Sequence, residues 1–133
     1  MKQKDKDLLL KDLCGRLQYG VKVLYEDNVF NIDYISSMYE EMHLDIVDNY
    51  TIDISEVKPY LFPMPSMTED IKDEIYKETG LYDIMENDMV HIEAGTNFLD
   101  VCKLFNILNK HHLDYNNLIP KGLAKDATGL NIY

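Results

Sequence analysis

A chain of 133 residues, 46% of them hydrophobic, suffices for one domain with one core and is too apolar for wholesale disorder. Its formal charge of −11 is segregated: residues 26–102 hold nineteen acids against three lysines, while both flanks are net basic. Such a field disfavours polyanions as partners and favours basic ones, and it bears on association more than on fold.

No run of about 18 apolar residues is present, so no membrane span is expected. Leu8-Leu9-Leu10 is too short for a signal-peptide core, which makes a cytoplasmic setting the expectation. Cys14 and Cys102 each fall in an apolar helical stripe. Without metal-type spacing they read as small buried hydrophobes of a reducing compartment, not as a disulfide. Ten tyrosines and no tryptophan suit half-buried sheet positions.

In chain order, residues 5–17 read as a helix capped by Asp5 or Asp7, with Leu9, Leu10, Leu13, Cys14 and Leu17 on one face. Gly15 weakens its last turn and Gly20 marks the exit. The period then changes to two. Val21, Val23 and Tyr25 form one strand face, and Asp27-Asn28 is a tight-turn pair. Phe30, Ile32 and Tyr34 face inward on a second strand, and Met42, Leu44 and Ile46 on a third. Asp48-Asn49 repeats the turn chemistry before Tyr50, Ile52 and Ile54. The result is an antiparallel meander with one apolar and one acidic face.

Three prolines between Pro59 and Pro65 predict an extended connector that closes the sheet. Ser66 and Glu69 form a capping box, so a helix runs over 67–79 with Ile71, Ile75 and Tyr76 inward and Gly80 at its end. Residues 89–93 read as a strand. A helix over 97–112 is apolar nearly all round, which predicts burial across the inner face of the sheet, with the first helix at an edge. Pro120, Gly122 and Gly129 make the last twenty residues a tail without a new element.

Three segments are familiar together: Leu8 to Cys14 with Tyr19 to Val23, Val57 to Glu69, and His111 to Tyr115 running into Leu118 to Ala124. In this order they resemble a family of small hypothetical proteins of gut Bacteroidales and their phages or mobile elements. The resemblance covers both ends and the middle of the chain. It implies a mobile-DNA context and a cytoplasmic setting, and it brings no activity and no catalytic residues. The chain departs from the family pattern where that pattern has Pro for Gln18, Arg for Phe62, and Arg-Gly for Asn116-Asn117. Losing those positive charges weakens any anion-binding role for the turn from Asp114 to Asn117.

The best candidate for chemistry is His111-His112-Leu113-Asp114, because imidazole is the usual base near neutral pH and a carboxylate can orient it. Adjacent helical residues point about 100° apart, however, which makes the two histidines poor co-ligands. The simpler reading is a helix C-terminus, where His and Lys110 complement the dipole. Asp33, Asp45 and Asp53 fall on the polar face of three successive strands. They could hold a hard divalent cation if they converged, and otherwise make a solvated face that discourages edge pairing. The acidic middle as a whole could imitate nucleic-acid phosphate. No Walker loop, dinucleotide fingerprint, nucleophile elbow or zinc motif is present.

These readings combine into an α+β fold: an antiparallel sheet of four to five strands packed on two to three helices, one domain over 1–133 with 115–133 as a tail. The expected function is that of a non-enzymatic accessory protein that binds a basic partner protein, for instance to inhibit a host DNA-binding or defence protein. No cofactor, metal, direct nucleic-acid contact or membrane is implied. Asp33, Asp45 and Asp53 would meet the partner. The tail from Tyr115 onward would be a second contact or the arm of a homodimer. The alternative is a small-ligand or nucleotide binder with a pocket at the C-terminal helix end, built from His111, His112, Asp114 and Lys121.

Overall fold

Backbone pairing in this chain is organised around one proline-bearing strand. The computed structural model describes residues 1–45 and 51–133; the expectations placed on Ile46, the Asp48-Asn49 turn and Tyr50 lie outside the described residues. Helix α1 spans Gln3–Arg16. Strands β1 (Lys22–Tyr25), β2 (Asn28–Ser36), β3 (Glu41–Leu44) and β4 (Ile52–Asp53) form the expected antiparallel meander. Strand β5 spans Lys58–Pro63, helix α2 Glu69–Thr79, and strands β6 (Met85–Glu86) and β7 (Met89–Val90) make a separate hairpin. Helix α3 (Phe98–Lys110) and strands β8 (Leu113–Asp114) and β9 (Lys125–Asp126) complete the fold. The fold is α+β, with a sheet that is seven-stranded among the described residues, larger than expected and mixed rather than antiparallel, because β8 and β9 both run parallel to β5. Among the described residues no helix is long and apolar enough to cross a membrane.

Strand β5 is the segment read from sequence as a connector. Backbone groups alternate sides along a strand. The Phe62 amide donates to the His112 carbonyl at 2.8 Å on one side, and the Leu61 carbonyl accepts from the Ala127 amide at 2.8 Å on the other. Lys58, Tyr60 and Phe62 therefore serve one edge, and Pro59, Leu61 and Pro63 the other. Strand β9 covers that second edge only at Tyr60 and Leu61. The missing N–H groups of Pro59 and Pro63 thus fall where no ladder needs a donor, which is how a strand with two prolines sits inside a sheet.

Local chemistry corrects several other expectations. The first hairpin turns at Glu26-Asp27, both with positive φ (45° and 65°), and not at Asp27-Asn28; Asn28 already pairs with Tyr25. The register between β2 and β3 shifts between Ile32 and Tyr34, a bulge at Asp33. One extra residue turns Tyr34 outward and brings Ile35 onto the core, reversing the alternation read from Phe30 and Ile32. Helix α1 starts at Gln3 without a side-chain cap, and Asp5 lies in its first turn instead. Helix α2 is capped by Thr68, whose hydroxyl accepts from the Ile71 amide at 3.3 Å, while Ser66 donates to the Pro63 carbonyl. Gly80, at φ 73°, ends the helix as expected, but Tyr76 points to solvent. Residues 91–93 are outside β7, and the hairpin turns on Asn87-Asp88, again with positive φ at both.

The two helices exchange their expected places. Leu9 and Leu13 of α1 cover the sheet, packing with Val21, Val23, Met42, Leu44, Ile54 and Leu61. Helix α3 instead packs on α2, placing Leu104, Ile107 and Leu108 with Ile75, Met64, Met67 and Leu113 in a second cluster. Its first turn is bare: Phe98 is 77% and Leu99 67% exposed. The segment after Tyr115 is no projecting arm, for Leu118, Leu123, Ala124 and Ala127 are buried. Cys14 is exposed rather than buried, Cys102 is half-buried, and both thiols are free.

The bulge predicts unequal costs for neighbouring truncations. Ile35→Ala should lose about 2 kcal/mol of unfolding free energy and Tyr34→Ala no more than about 1, as read by urea denaturation. The opposite order would place the side chains in the unbulged register.

Candidate functional site

The buried polar and charged side chains gather where α1, α3 and the 112–119 segment meet. Asp12, Arg16, Asn109, His112 and Asp114 are all buried. At the centre is an ion pair with both side chains fully buried: Arg16 Nε and Nη2 donate to Asp12 Oδ2 and Oδ1 at 2.8 and 3.0 Å. Nη2 also donates to the Leu113 carbonyl at 2.7 Å, and Asn116 Nδ2 donates to Asp12 Oδ1 at 2.9 Å. The Arg16 guanidinium lies 4.8 Å from the centre of the Tyr115 ring, whose hydroxyl donates to Asn109 Oδ1 at 2.7 Å. Arg16 Nη1 and His112 Nδ1 are buried without a hydrogen-bond partner among the described residues.

Gly15 permits this approach. A methyl group there would lie 3.3 Å from Asn109 Nδ2 and 3.6 Å from the Tyr115 hydroxyl. The glycine that weakens a helix end in sequence is where α1 faces Asn109 and Tyr115 across this cluster. The cluster escaped sequence reasoning, yet a signal was present. Asp12 and Arg16 are four apart and fall on the stripe of Leu9 and Leu13, so they enter the core facing each other.

The histidine-aspartate motif is divided rather than assembled. His111 Nε2 meets Glu74 Oε1 of α2 at 2.8 Å, and Lys110 pairs with the other oxygen. Burial of Glu74 works against ionisation, but the hydrogen bonds from Lys110 and His111 outweigh it and hold the carboxyl below its usual range. His112, with φ 59°, turns away into the interior. Desolvation, aided by the charges of Arg16, His111 and Lys22, pushes its imidazole down to about 4. Asp114 closes a loop by accepting from the Leu118 and Ile119 amides at 2.8 and 2.9 Å; burial raises its carboxyl despite those bonds. Lys121 is exposed on the following turn. Each group has a different structural employment.

The three sheet aspartates do not converge either. Asp33 meets His43 Nδ1 at 2.8 Å, and that ring stacks on Tyr34. Asp45 accepts from the Asn31 amide and side chain at 3.2 Å each. Asp53 accepts from the Ser55 hydroxyl at 2.6 Å and its amide at 2.9 Å, with Lys6 of α1 at 3.3 Å; the Ser55 bonds foremost lower its pKa. No group of three or more metal-ligating side chains occurs among the described residues.

Unengaged acids lie elsewhere. Residues 69–100, from α2 through the β6–β7 hairpin into α3, hold ten acids and two lysines. Glu69, Glu74 and Glu86 have ion-pair partners; Asp70, Asp73, Glu78, Asp83, Asp88, Glu93 and Asp100 have none among the described residues. The same stretch exposes Tyr76, Tyr82 (79%), Met89, Phe98 and Leu99, with the two tyrosine rings in edge contact at 6.5 Å. A cleft of about 430 Å³ runs between residues 80–86 and 91–96, bordered by Tyr82, Asp83, Glu86 and Glu93. A second groove, of about 630 Å³, is bounded by Lys11, Gly15, Val90, Phe105, Tyr115 and Asn116.

Removing one member of the central pair leaves a buried charge. Arg16→Ala or Asp12→Ala should cost about 3–5 kcal/mol, and the double variant Asp12→Leu with Arg16→Met should recover most of that in denaturant titration. For His112 the folded pKa lies below the unfolded one, so the unfolded chain takes up the proton first. Its contribution to stability is complete above pH 6.5 and drains away as pH falls towards about 4. Unfolding free energies from pH 7 to 4 should therefore fall more steeply in the parent chain than in His112→Phe. The raised Asp114 carboxyl acts in the opposite sense in both chains and cancels in that difference.

No family model, curated protein or solved structure matches the chain.

Proposed function

We propose that this chain is a non-enzymatic accessory protein that binds a protein partner with a basic surface, through the face formed by α2, the β6–β7 hairpin and the first turn of α3. One observation carries the reading. Over residues 69–100, seven carboxylates without ion-pair partners among the described residues share the stretch with side chains that soluble surfaces seldom leave bare: Tyr76, Tyr82, Met89, Phe98 and Leu99. Aromatic and Met anchors inside a charged rim are the composition of a protein interface, with anchors supplying affinity and charges supplying steering and partner choice. The mapped surface replaces the Asp33, Asp45 and Asp53 face, because those carboxylates are occupied by His43, Asn31, Ser55 and Lys6.

A nucleic-acid-binding protein is the partner class that fits best. Such proteins carry Lys and Arg spaced to neutralise phosphates, and an acidic face competes for the same groups. Inhibition of a host DNA-binding or defence protein by a phage or mobile-element product follows as the biological form of this reading, and it rests on the family resemblance alone.

A small-ligand role is the second reading, favoured by the groove beside Tyr115 and Asn116, where Lys11 offers a cation over apolar walls. A thermal-shift series with small carboxylates and nucleotides tests it, since a true ligand raises stability by mass action.

The partner reading is tested by affinity capture at low ionic strength with two variants alongside. A basic protein should be retained by the parent chain and released as salt rises. Phe98→Ala with Tyr82→Ala should weaken its binding at least about tenfold, a cost typical of buried anchors. Asp83→Lys with Asp88→Lys should slow association and flatten the salt dependence. Retention that ignores both variants would remove this face from the interaction.

A further inference from the structure

The edge of β5 that faces β1 and β8 is interrupted at Tyr60. Lys58 and Pro59 register with Leu24 and Val23 of β1, and Phe62 and Pro63 with Leu113 and Asp114 of β8. Between these pairings the Tyr60 carbonyl accepts from the Tyr133 hydroxyl at 2.7 Å, and that hydroxyl accepts from the Lys22 amide at 2.9 Å. By the β1–β5 register, Lys22 stands opposite Tyr60. In an unbroken antiparallel ladder its amide would reach that carbonyl directly. A phenol oxygen has been inserted into the ladder instead.

One face of the Tyr133 ring is matched as closely, while the residue keeps 42% of its surface exposed. It stacks on the His112 imidazole, with centroids 3.7 Å apart and planes 13° from parallel, and the Phe62 ring stands 5.9 Å away. Burial pushes the Tyr133 hydroxyl up to about 12, so it stays a neutral donor at any physiological pH. A backbone donor, a backbone acceptor, a flat stacking surface and an aromatic wall answer the features of a phenol one by one.

The segment that delivers this ring is lightly held. Thr128, Gly129, Leu130 and Asn131 are exposed, and Gly129 and Asn131 have positive φ. After Ala127, its other hydrogen bonds among the described residues are local, from the Thr128 amide to Asp126 and the Leu130 amide to Ala127, and those of the Tyr133 hydroxyl are the long-range ones. It is a strap fastened by one side chain.

We propose that the gap in the edge of β5 is a phenol-binding site, filled in cis by Tyr133 and open to a second phenol when the strap lifts, either a free para-substituted phenol or the tyrosyl side chain of another polypeptide. This site is separate from the acidic face and stands whether or not that face binds a partner.

The test titrates Tyr133→Gly with p-cresol, toluene and the peptide Leu-Asn-Ile-Tyr, following the Lys22 amide and His112 ring by NMR. We expect p-cresol to bind with shifts at both places and at least about tenfold more tightly than toluene, which gives the Lys22 amide and the Tyr60 carbonyl no hydroxyl partner. The parent chain should bind p-cresol at least about tenfold more weakly, because its own ring competes. Tighter binding of the peptide identifies a polypeptide tyrosine as the occupant, and equal binding a free phenol. Equal affinity for p-cresol and toluene, shifts confined to other residues, or no binding overturns the proposal. Amide exchange of the parent chain provides an arm that does not depend on the variant folding. The Lys22 amide should exchange through a local opening faster than global unfolding permits. Exchange only through global unfolding would mean that the strap never lifts, and the site would be structural alone.

Discussion

The Asp12–Arg16 pair is the constraint on which the arrangement of elements depends. An ion pair with no solvent access is costly unless most of its remaining hydrogen-bonding capacity is met, and in this pair Arg16 Nη1 alone lacks a partner among the described residues. Here the groups that help meet it come from the far end of the sequence: the Leu113 carbonyl, the Asn116 amide and the face of the Tyr115 ring. Helix α1 alone could not bury these charges. Burial therefore requires the 113–116 segment to be in place, and that requirement fixes where α3 ends and where β8 joins β5. A hydrophobic pair in the same position would hold α1 on the sheet with no such demand on partner or direction.

Much of the fold was legible in the chain. The period-two runs gave β1 to β3 and their inward residues Val21, Val23, Met42 and Leu44, and Gly80 marked the end of α2. What stayed hidden has common physical causes. The bulge at Asp33 is a pairing event between two strands, and neither strand's pattern carries it alone. Strand β5 was masked by its prolines, whose tolerance depends on which edge of the sheet each one faces. The places of α1 and α3 were exchanged because both helices carry apolar stripes, and periodicity says which face is buried without saying against what.

The candidate site repeats this lesson. Asp33, Asp45, Asp53, His111, His112 and Asp114 were singled out for residue type, and each is present as a capable group. Their neighbours decide their roles: a bulge for Asp33, a helix-helix clasp with Glu74 for His111, a loop closure for Asp114. Among the described residues, a run of free acids lies on α2, around the hairpin and in the first turn of α3, along the same stretch that exposes aromatic side chains. Such a surface is costly to leave in water and useful when another protein covers it.

Strand β5 has a further consequence for how the chain is made. Its two parallel neighbours, β8 and β9, come from residues 113–126, whereas the meander with β1 is complete by residue 59. During synthesis the middle of the sheet has its partners on one side of the sequence only, and Tyr60 to Pro63 present open edges while α2, the hairpin and α3 emerge. Open edges are the places where nascent chains pair with the wrong partner. Prolines at positions 59 and 63 make the edge that β9 later covers a poor template for such pairing, so the residues that obscure β5 in the sequence also guard that edge until its own strand arrives.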